Sequence, residues 1–219
     1  MKKILIIGNL GYIGPALVDY FRSTDDNLEL IGFDTGFFEG CLINHLSKLR
    51  YQVHKQFYGD VRYFDETCLE GVSAVVYLAA ISNDPMGNKF KSQTLDINFH
   101  AGIKIANLAK KRGIKSFVFA SSCSIYGSGG ILAKKEDDEI NPLTPYAQSK
   151  ISSEDSLKLL ADEDFHVTCL RFATACGASP RMRLDLVLND FVASAITTGQ
   201  ITVLSDGSPW RPLIDVEDM

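Results

Sequence analysis

The sequence predicts an α/β protein in which a parallel β-sheet is covered by helices on both faces. Three observations predict this fold. Six short apolar segments suit β-strands, helical stretches separate several of them, and most of the apolar runs are continuous instead of alternating with polar residues. Continuous apolar runs are typical of strands that are buried on both sides, as they are in a parallel sheet.

The predicted elements follow one another along most of the chain. The strands are predicted at 3–8, 28–34, 51–57, 73–79, 115–121 and 166–172. Helices are predicted near 12–23, 91–112 and 145–163, and the second has an apolar residue at every third or fourth position from Ile97 to Leu108. Beyond Phe172 the pattern is weaker and predicts a helix at 184–198 and short strands near 201–204 and 211–214.

Composition narrows the class of protein. The 219 residues are 46% apolar and 22% charged, which suits a globular chain with a full core. A net charge of −5 is unsuited to a nucleic-acid surface, and no apolar run approaches the ~18 residues of a membrane helix. The five cysteines include no CxxC pair, and the four histidines are scattered. We therefore expect a cytoplasmic protein with no nucleic-acid, membrane or metal partner.

A glycine-rich turn follows the first predicted strand and opens a helix. Its glycines are Gly8, Gly11 and Gly14. In a dinucleotide site the first makes the tight turn, the second lets the backbone approach a pyrophosphate and the third lets the helix pack on the sheet. Backbone N–H groups around Tyr12 and Ile13 would face the phosphates. Three glycines also occur in ordinary strand-to-helix turns, so the pattern needs support from elsewhere.

Asp34 supplies that support, because it ends the second predicted strand 20 residues beyond Gly14. An acidic side chain at this distance accepts hydrogen bonds from the adenosine ribose and repels a 2′-phosphate. The alternative is a solvated turn residue. The two features together predict a site for NAD instead of NADP.

Tyr146 and Lys150 lie four residues apart and share one face of a predicted helix. An ammonium beside a phenol favours the phenolate and moves the phenol pKa from about 10 toward neutrality, where acid/base exchange is efficient. A tyrosine and a lysine at this spacing are also ordinary surface neighbours. The segment SSCSIYG (121–127) brings hydroxyls to the carboxyl end of the sheet, where Ser121 and Ser124 either contact a ligand or cap a turn.

Seven motifs together resemble the extended short-chain dehydrogenase/reductase family, the NAD-dependent nucleotide-sugar epimerases and dehydratases. They are GNLGYIG (8–14), Asp34, GDV (59–61), LAA (78–80), SSCSIYG (121–127), YAQSK (146–150) and LRFATACG (170–177). The resemblance implies a Rossmann-type doubly wound parallel sheet over 1–176 and the beginning of a small C-terminal substrate lobe over 177–219. We expect the chain to be truncated, since residues 215–219 read as the middle of a strand-to-helix junction.

The resemblance also implies roles for individual residues. It makes Tyr146 and Lys150 the catalytic pair and Ser122 the hydroxyl that assists them. The expected cofactor contacts are Gly8, Gly11, Tyr12, Ile13, Gly14, Asp34, Asp60, Val61, Leu78, Ala79, Ala80, Asn98, Ser121, Tyr146, Lys150 and Phe172. The expected substrate contacts are Ser82, Ser122, Ser124, Thr174 and Arg211. A homodimer through the helices near 91–112 and 145–163 is a further implication.

Departures from the family pattern narrow the expected reaction. Family dehydratases carry an acidic pair where this chain has Cys123 and Ser124, and the family's 3,5-epimerases carry a cysteine at the position of Ser124. The remaining expectation is a nucleotide-sugar epimerase acting by transient oxidation, with C4 favoured. A net dehydrogenase or reductase and a non-catalytic NAD-binding regulatory protein stay as alternatives. Thr174 and Cys176 replace residues of the usual substrate pocket and leave the sugar open.

Overall fold

A computed structural model of the chain describes residues 2–25, 27–42, 53–82, 84–127, 132–208 and 210–219. Its centre is a six-stranded parallel sheet. The strands are β1 (Lys2–Ile7), β2 (Leu28–Asp34), β3 (Lys55–Tyr58), β4 (Ala74–Tyr77), β5 (Ser116–Ser122) and β6 (His166–Phe172). Their order across the sheet is β3-β2-β1-β4-β5-β6, the doubly wound Rossmann arrangement, so the predicted fold class is confirmed.

The predicted strands agree with the observed ones to within a few residues. β2 and β6 have the predicted bounds, whereas β3 begins at Lys55, four residues later than predicted. Residues 51 and 52 of the predicted third strand lie outside the described residues. Strand order reverses beside β1, because β2 and β4 pair with its two edges, and ligands of open α/β sheets bind at this point.

Helices cover both faces of the sheet. They are α1 (Gly14–Thr24), α2 (Asp84–Lys89), α3 (Lys91–Leu95), α4 (Gly102–Lys111), α5 (Pro145–Leu160) and α6 (Val187–Thr198). A π-helical turn, Asp96–Ala101, joins α3 to α4. The prediction of one regular helix over 91–112 is therefore wrong in its middle, although the segment is helical from end to end. π-Helical turns are rare and occur frequently at functional sites.

The apolar core has two parts, one on each face of the sheet. Along β1, Leu5 and Ile7 belong to the cluster under α4 and α5, while Ile6 belongs to the cluster that contains Val18 of α1. All of these side chains are fully buried. Strands that are apolar on both faces need helices on both faces, as the continuous apolar runs predict.

A second, small sheet follows the large one. β7 (Thr174–Cys176) pairs in parallel with β8 (Leu213–Asp215), close to the strand predicted at 211–214. The strand predicted at 201–204 is wrong, because these residues have no strand partner and lie exposed, with Leu204 97% exposed. Apolar alternation alone does not hold a strand without a neighbour. The division of the chain at residue 176 stays a prediction. Across the described ranges, no helix is both long and apolar enough to cross a membrane.

Candidate active site at the carboxyl edge of the sheet

The glycine-rich turn lies where strand order reverses, between the carboxyl ends of β1 and β4. Gly8 has a φ of +92°, and a Cβ atom there would lie 2.7 Å from the backbone nitrogen of Ala79. A Cβ on Gly14 would collide with the backbone of Asn9. At Gly11 the nearest atom to such a Cβ is the Gly8 carbonyl oxygen at 3.2 Å, so the space above this glycine is otherwise open. The turn therefore has room for a phosphate where the motif requires it.

The loop after β4 closes one flank of this turn. Leu78 donates its backbone N–H to the Ile7 carbonyl oxygen at 2.8 Å, and half-buried Ala79 and Ala80 follow it. Side chains of Ile13, Leu78 and Phe172 lie further back, where they line an apolar cavity of about 150 Å³ on the α1 face of the sheet. Contacts of Ile13 and Leu78 with a dinucleotide would therefore come from their backbones.

Asp34 ends β2 beside the glycine turn. Its Oδ2 accepts a hydrogen bond from the Leu10 N–H at 3.2 Å, and its Oδ1 accepts one from the Gly36 N–H at 2.9 Å. These two bonds fix the carboxylate at the end of the strand while leaving it half-buried. Each carboxylate oxygen has further lone pairs that a ribose hydroxyl can use.

Asp60 and Val61 lie after β3, on the far side of Asp34. The Asp60 carboxylate pairs with the Arg62 guanidinium at 2.6 Å, and this partner holds the pKa of Asp60 below its ordinary value. The Val61 side chain is buried in the core. Val61 can therefore make its predicted contact with adenine only through its backbone, because its side chain is buried in the core.

The predicted catalytic pair lies at the start of α5. Thr144 caps the helix by accepting a hydrogen bond from the Ala147 N–H at 3.2 Å, and Pro145 occupies the first turn. Tyr146 follows and is half-buried. The Lys150 Nζ lies 5.5 Å from the centre of the Tyr146 ring, so the structure brings the two side chains together as their spacing predicts.

Lys150 is more deeply buried than a surface neighbour would be. Its side chain is 2% exposed, and its Nζ donates to the Ala120 carbonyl oxygen of β5 at 2.6 Å. Burial lowers the pKa of Lys150 to about 7, against the opposing influence of Cys169 and Glu154. The low-polarity surroundings thus disfavour the charged form of this amine, an effect of burial that the spacing of Tyr146 and Lys150 does not reveal.

The end of β5 carries a group of hydroxyls. The Ser122 Oγ accepts a hydrogen bond from the Ser124 N–H at 3.2 Å and so caps the turn Cys123–Tyr126. The Ser124 Oγ is buried without a partner among the residues that the structure describes. A buried hydroxyl without a partner calls for a ligand or a water molecule. Burial raises the pKa of the Cys123 thiol, and nearby Arg211 opposes that shift.

Ser121 and Asn98, both predicted cofactor contacts, have hydrogen-bond partners within the protein. The Ser121 hydroxyl donates to the Glu154 carboxylate. Asn98 is 0% exposed in the π-helical turn, where its side-chain amide bonds both backbone groups of Ile81 and the Ser149 hydroxyl. Asn98 therefore clamps the loop after β4 to α5. This agrees with a bracing role, and a direct contact of its amide with the cofactor does not follow from the structure.

The remaining predicted substrate residues lie around the same edge. The exposed Ser82 accepts a hydrogen bond from Arg183 Nη1 at 2.7 Å. Thr174 is half-buried in β7, where its backbone N–H donates to the Pro212 carbonyl oxygen at 3.0 Å. Arg211 is exposed, and its influence on Cys123 places its charge near the turn after β5.

A hydrogen-bonded group that the sequence analysis missed lies behind the catalytic pair. Glu154 is four residues beyond Lys150 on α5 and pairs with the Arg171 guanidinium through both carboxylate oxygens, with a closest distance of 2.7 Å. Arg171 Nη1 also donates to the Tyr126 hydroxyl at 2.7 Å. The group joins α5, β6 and the turn after β5. Continuing the Tyr146–Lys150 spacing by one more helical turn would have pointed to Glu154.

Comparisons with known proteins point to one family. The profile of the NAD dependent epimerase/dehydratase family matches residues 4–219. A UDP-glucose 4-epimerase of Lactobacillus helveticus is 28% identical, over 99% of this chain and 69% of that protein.

Two solved structures are similar over nearly the whole chain. The NAD-dependent NDP-hexosamine 5,6-dehydratase TunA has a TM-score of 0.87 and 25% identity, covering 100% of this chain and 69% of its own. MoeE5 in complex with UDP-glucose and NAD has a TM-score of 0.82 and 26% identity, covering 98% of this chain and 68% of its own. With the family profile spanning all but the first three residues, the chain belongs to the NAD dependent epimerase/dehydratase family, whose cofactor is NAD.

Proposed function

We propose that this protein is a nucleotide-sugar epimerase that acts by transient oxidation at one sugar carbon, C4. The observation that carries the proposal is the contact of Lys150 with Tyr146, 5.5 Å from Nζ to the ring centre, at the carboxyl edge of the sheet where β5 ends in Ser122 and the glycine-rich turn follows β1. Similarity to a UDP-glucose 4-epimerase supports C4, and MoeE5 supports a nucleotide sugar as the substrate class.

Tyr146 is the proposed acid/base. As the carbon-bound hydrogen leaves as hydride, the Tyr146 phenolate takes the proton of the sugar hydroxyl, which leaves a ketone. NAD, when bound, would supply the hydride acceptor and would return the hydride. When the hydride returns to the opposite face of the ketone, Tyr146 gives the proton back to the oxygen, and the carbon is inverted with no net oxidation.

The neighbours of Tyr146 prepare it for this exchange. The Lys150 amine lies 5.5 Å from the centre of the Tyr146 ring, and in its protonated form its positive charge favours the phenolate. The Ser122 hydroxyl donates to the sugar oxygen that loses the proton, and the Ser124 hydroxyl finds its partner on the sugar. Arg211 grips a phosphate of the nucleotide, for which its planar fork is suited.

The turn after β5 argues against dehydration. Elimination of water from the sugar needs a general acid and a general base beside the assisting hydroxyl. Cys123 and Ser124 occupy those positions, and burial raises the pKa of Cys123, which keeps its thiol protonated. The residues present therefore support hydride removal and return better than elimination.

The first prediction tests this activity with UDP-glucose and NAD-loaded protein. We expect UDP-galactose to form, detected by chromatography, without stoichiometric accumulation of NADH. Tyr146→Phe should lower kcat by about 10²- to 10⁴-fold, because it removes the acid/base. Tyr63→Phe serves as the control, since that ring is 82% exposed on the turn after β3.

Two results would contradict the proposal. Stoichiometric NADH with no UDP-galactose would indicate a net dehydrogenase. An unchanged kcat in Tyr146→Phe would remove Tyr146 from the chemistry.

A further inference from the structure

Segment 177–189 is fastened to the glycine-rich turn by the side chain of Tyr12. The Tyr12 hydroxyl donates to the Gly177 carbonyl oxygen at 2.7 Å and accepts from the Asn189 side-chain amide at 3.2 Å. The Ser179 hydroxyl donates to the Tyr12 carbonyl oxygen at 2.7 Å. Tyr12 is 6% exposed and Ser179 is 6% exposed. The segment therefore has a fixed position over the turn.

The side chain of Arg181 extends from this segment toward the loop after β2. Arg181 lies two residues beyond Ser179, within about 8 Å of it along the backbone. Its guanidinium carbon lies 4.3 Å from the centre of the Phe38 ring. Phe38 follows Asp34 by four residues, so Arg181 spans from the glycine-rich turn to the loop after β2. A dinucleotide bound at the point where strand order reverses has its pyrophosphate in this interval.

The guanidinium of Arg181 lacks an anionic partner within the described parts of the chain. Its Nη1 donates to the Met182 carbonyl oxygen, while its Nε is buried and has no acceptor among the described residues. Arginine keeps its charge in proteins, and a shielded guanidinium donor without an acceptor is unfavourable. A pyrophosphate would supply acceptor oxygens for the N–H groups of Arg181 and a negative charge to balance its positive charge.

We infer that Arg181 binds the pyrophosphate of the cofactor, held in position by the Tyr12–Gly177–Ser179–Asn189 contacts. The inference rests on the proposed placement of NAD on the glycine-rich turn. It assigns a cofactor contact to the small C-terminal segment, so that NAD is held from two sides.

Titrations of cofactor-free protein with NAD, ADP and adenosine test the inference. Arg181→Met should weaken NAD and ADP by about 10- to 100-fold, because one charge-assisted contact is lost, and should leave adenosine within about 2-fold. Arg181→Lys should be intermediate, since it keeps the charge without the fork. Arg112→Met is the matched control, because Arg112 pairs with Glu66 at 3.3 Å after the end of α4 and should leave all three ligands unchanged.

The outcomes distinguish a failure of this inference from a failure of the proposed placement of NAD. If Gly11→Val weakens NAD but Arg181→Met does not, Arg181 has no role in binding and the inference alone fails. Equal weakening of NAD, ADP and adenosine by Arg181→Met, with a lower melting temperature, would show a structural role and also overturn it. If Gly11→Val leaves NAD binding unchanged, the proposed placement fails and takes the inference with it.

Discussion

Asp34 is the residue that we expect to select the cofactor, through its single carboxylate. Hydrogen bonds from the Leu10 and Gly36 N–H groups hold it at the end of β2, beside the glycine-rich turn. In that position a negative charge accepts the hydroxyls of a ribose and repels a phosphate on the same sugar. We therefore expect the charge of Asp34 to favour NAD over NADP.

The second prediction concerns the charge of Asp34. Asp34→Ala should weaken NAD by about 10-fold and bring the affinities for NAD and NADP closer, because the ribose acceptor and the repulsive charge are lost together. Fluorescence titration with both cofactors measures the change. Asp65→Ala is the matched control, since Asp65 caps a similar turn by accepting from the Thr67 N–H at 2.9 Å. Equal affinity of the unmodified protein for NAD and NADP would refute the role of Asp34.

The helix α5 collects the polar groups behind the site on one face. Tyr146, Lys150 and Glu154 are spaced four residues apart on this helix. Glu154 pairs with Arg171 of β6, which also bonds the Tyr126 hydroxyl in the turn after β5, so these contacts connect the three elements. This ion pair is mostly buried, with side chains 20% and 12% exposed for Arg171 and Glu154. Burial makes the loss of one partner costly, because the other is left with an uncompensated charge.

The third prediction concerns this pair. Arg171→Met should lower the free energy of unfolding by about 2–4 kcal/mol and kcat by about 10-fold, because the turn that carries Ser122 and Ser124 loses its hold on α5. Urea denaturation and steady-state kinetics measure the two effects. Lys3→Met is the control, since it breaks the more exposed Lys3–Glu29 pair at the amino edge of the sheet and should leave kcat unchanged. An unaltered kcat in Arg171→Met would limit the pair to a purely structural role.

How much the sequence predicts differs from element to element. β2 could be bounded correctly because its apolar run is compact and ends at Asp34. The π-helical turn could not be predicted, because its apolar spacing is that of a regular helix. Asn98 in this turn bonds with Ile81 and Ser149, which are distant from it in the sequence. The segment 201–204 shows the converse, a strand-like pattern without a neighbouring strand.

The candidate site shows the same limit. Glycines and Asp34 could be predicted because their spacing along the chain carries the signal. The partners of Ser121 and the position of Arg181 depend on contacts between separate elements, so spacing carries no signal for them. Burial of Lys150 is also a property of the folded chain, and it changes the expected protonation of this residue.

For the molecule as a whole, Lys150 links stability to pH. Its pKa is lowered from 10.5 to about 7 by burial. Between these values the unfolded chain binds a proton that the folded chain does not, so stability rises with pH in this range and the penalty of burying the charge is fully present below pH 7.

The fourth prediction is that Lys150→Met removes this dependence. The free energy of unfolding from urea denaturation should rise less between pH 7 and pH 9 in Lys150→Met than in the unmodified protein. Lys158→Met, an exposed position on the same helix, is the control and should follow the unmodified protein. Parallel pH profiles for Lys150→Met and the unmodified protein would rule out the titration of Lys150 as the cause.

The anchoring of Tyr12 has a consequence for the synthesis of the chain. The Tyr12 hydroxyl and the Gly177 carbonyl that it contacts are 165 residues apart, so the glycine-rich turn leaves the ribosome well before the segment that fastens it. Nascent chains therefore display this turn long before its last protein partners exist. The turn therefore reaches its final hydrogen bonding only after residues 177–189 have been made.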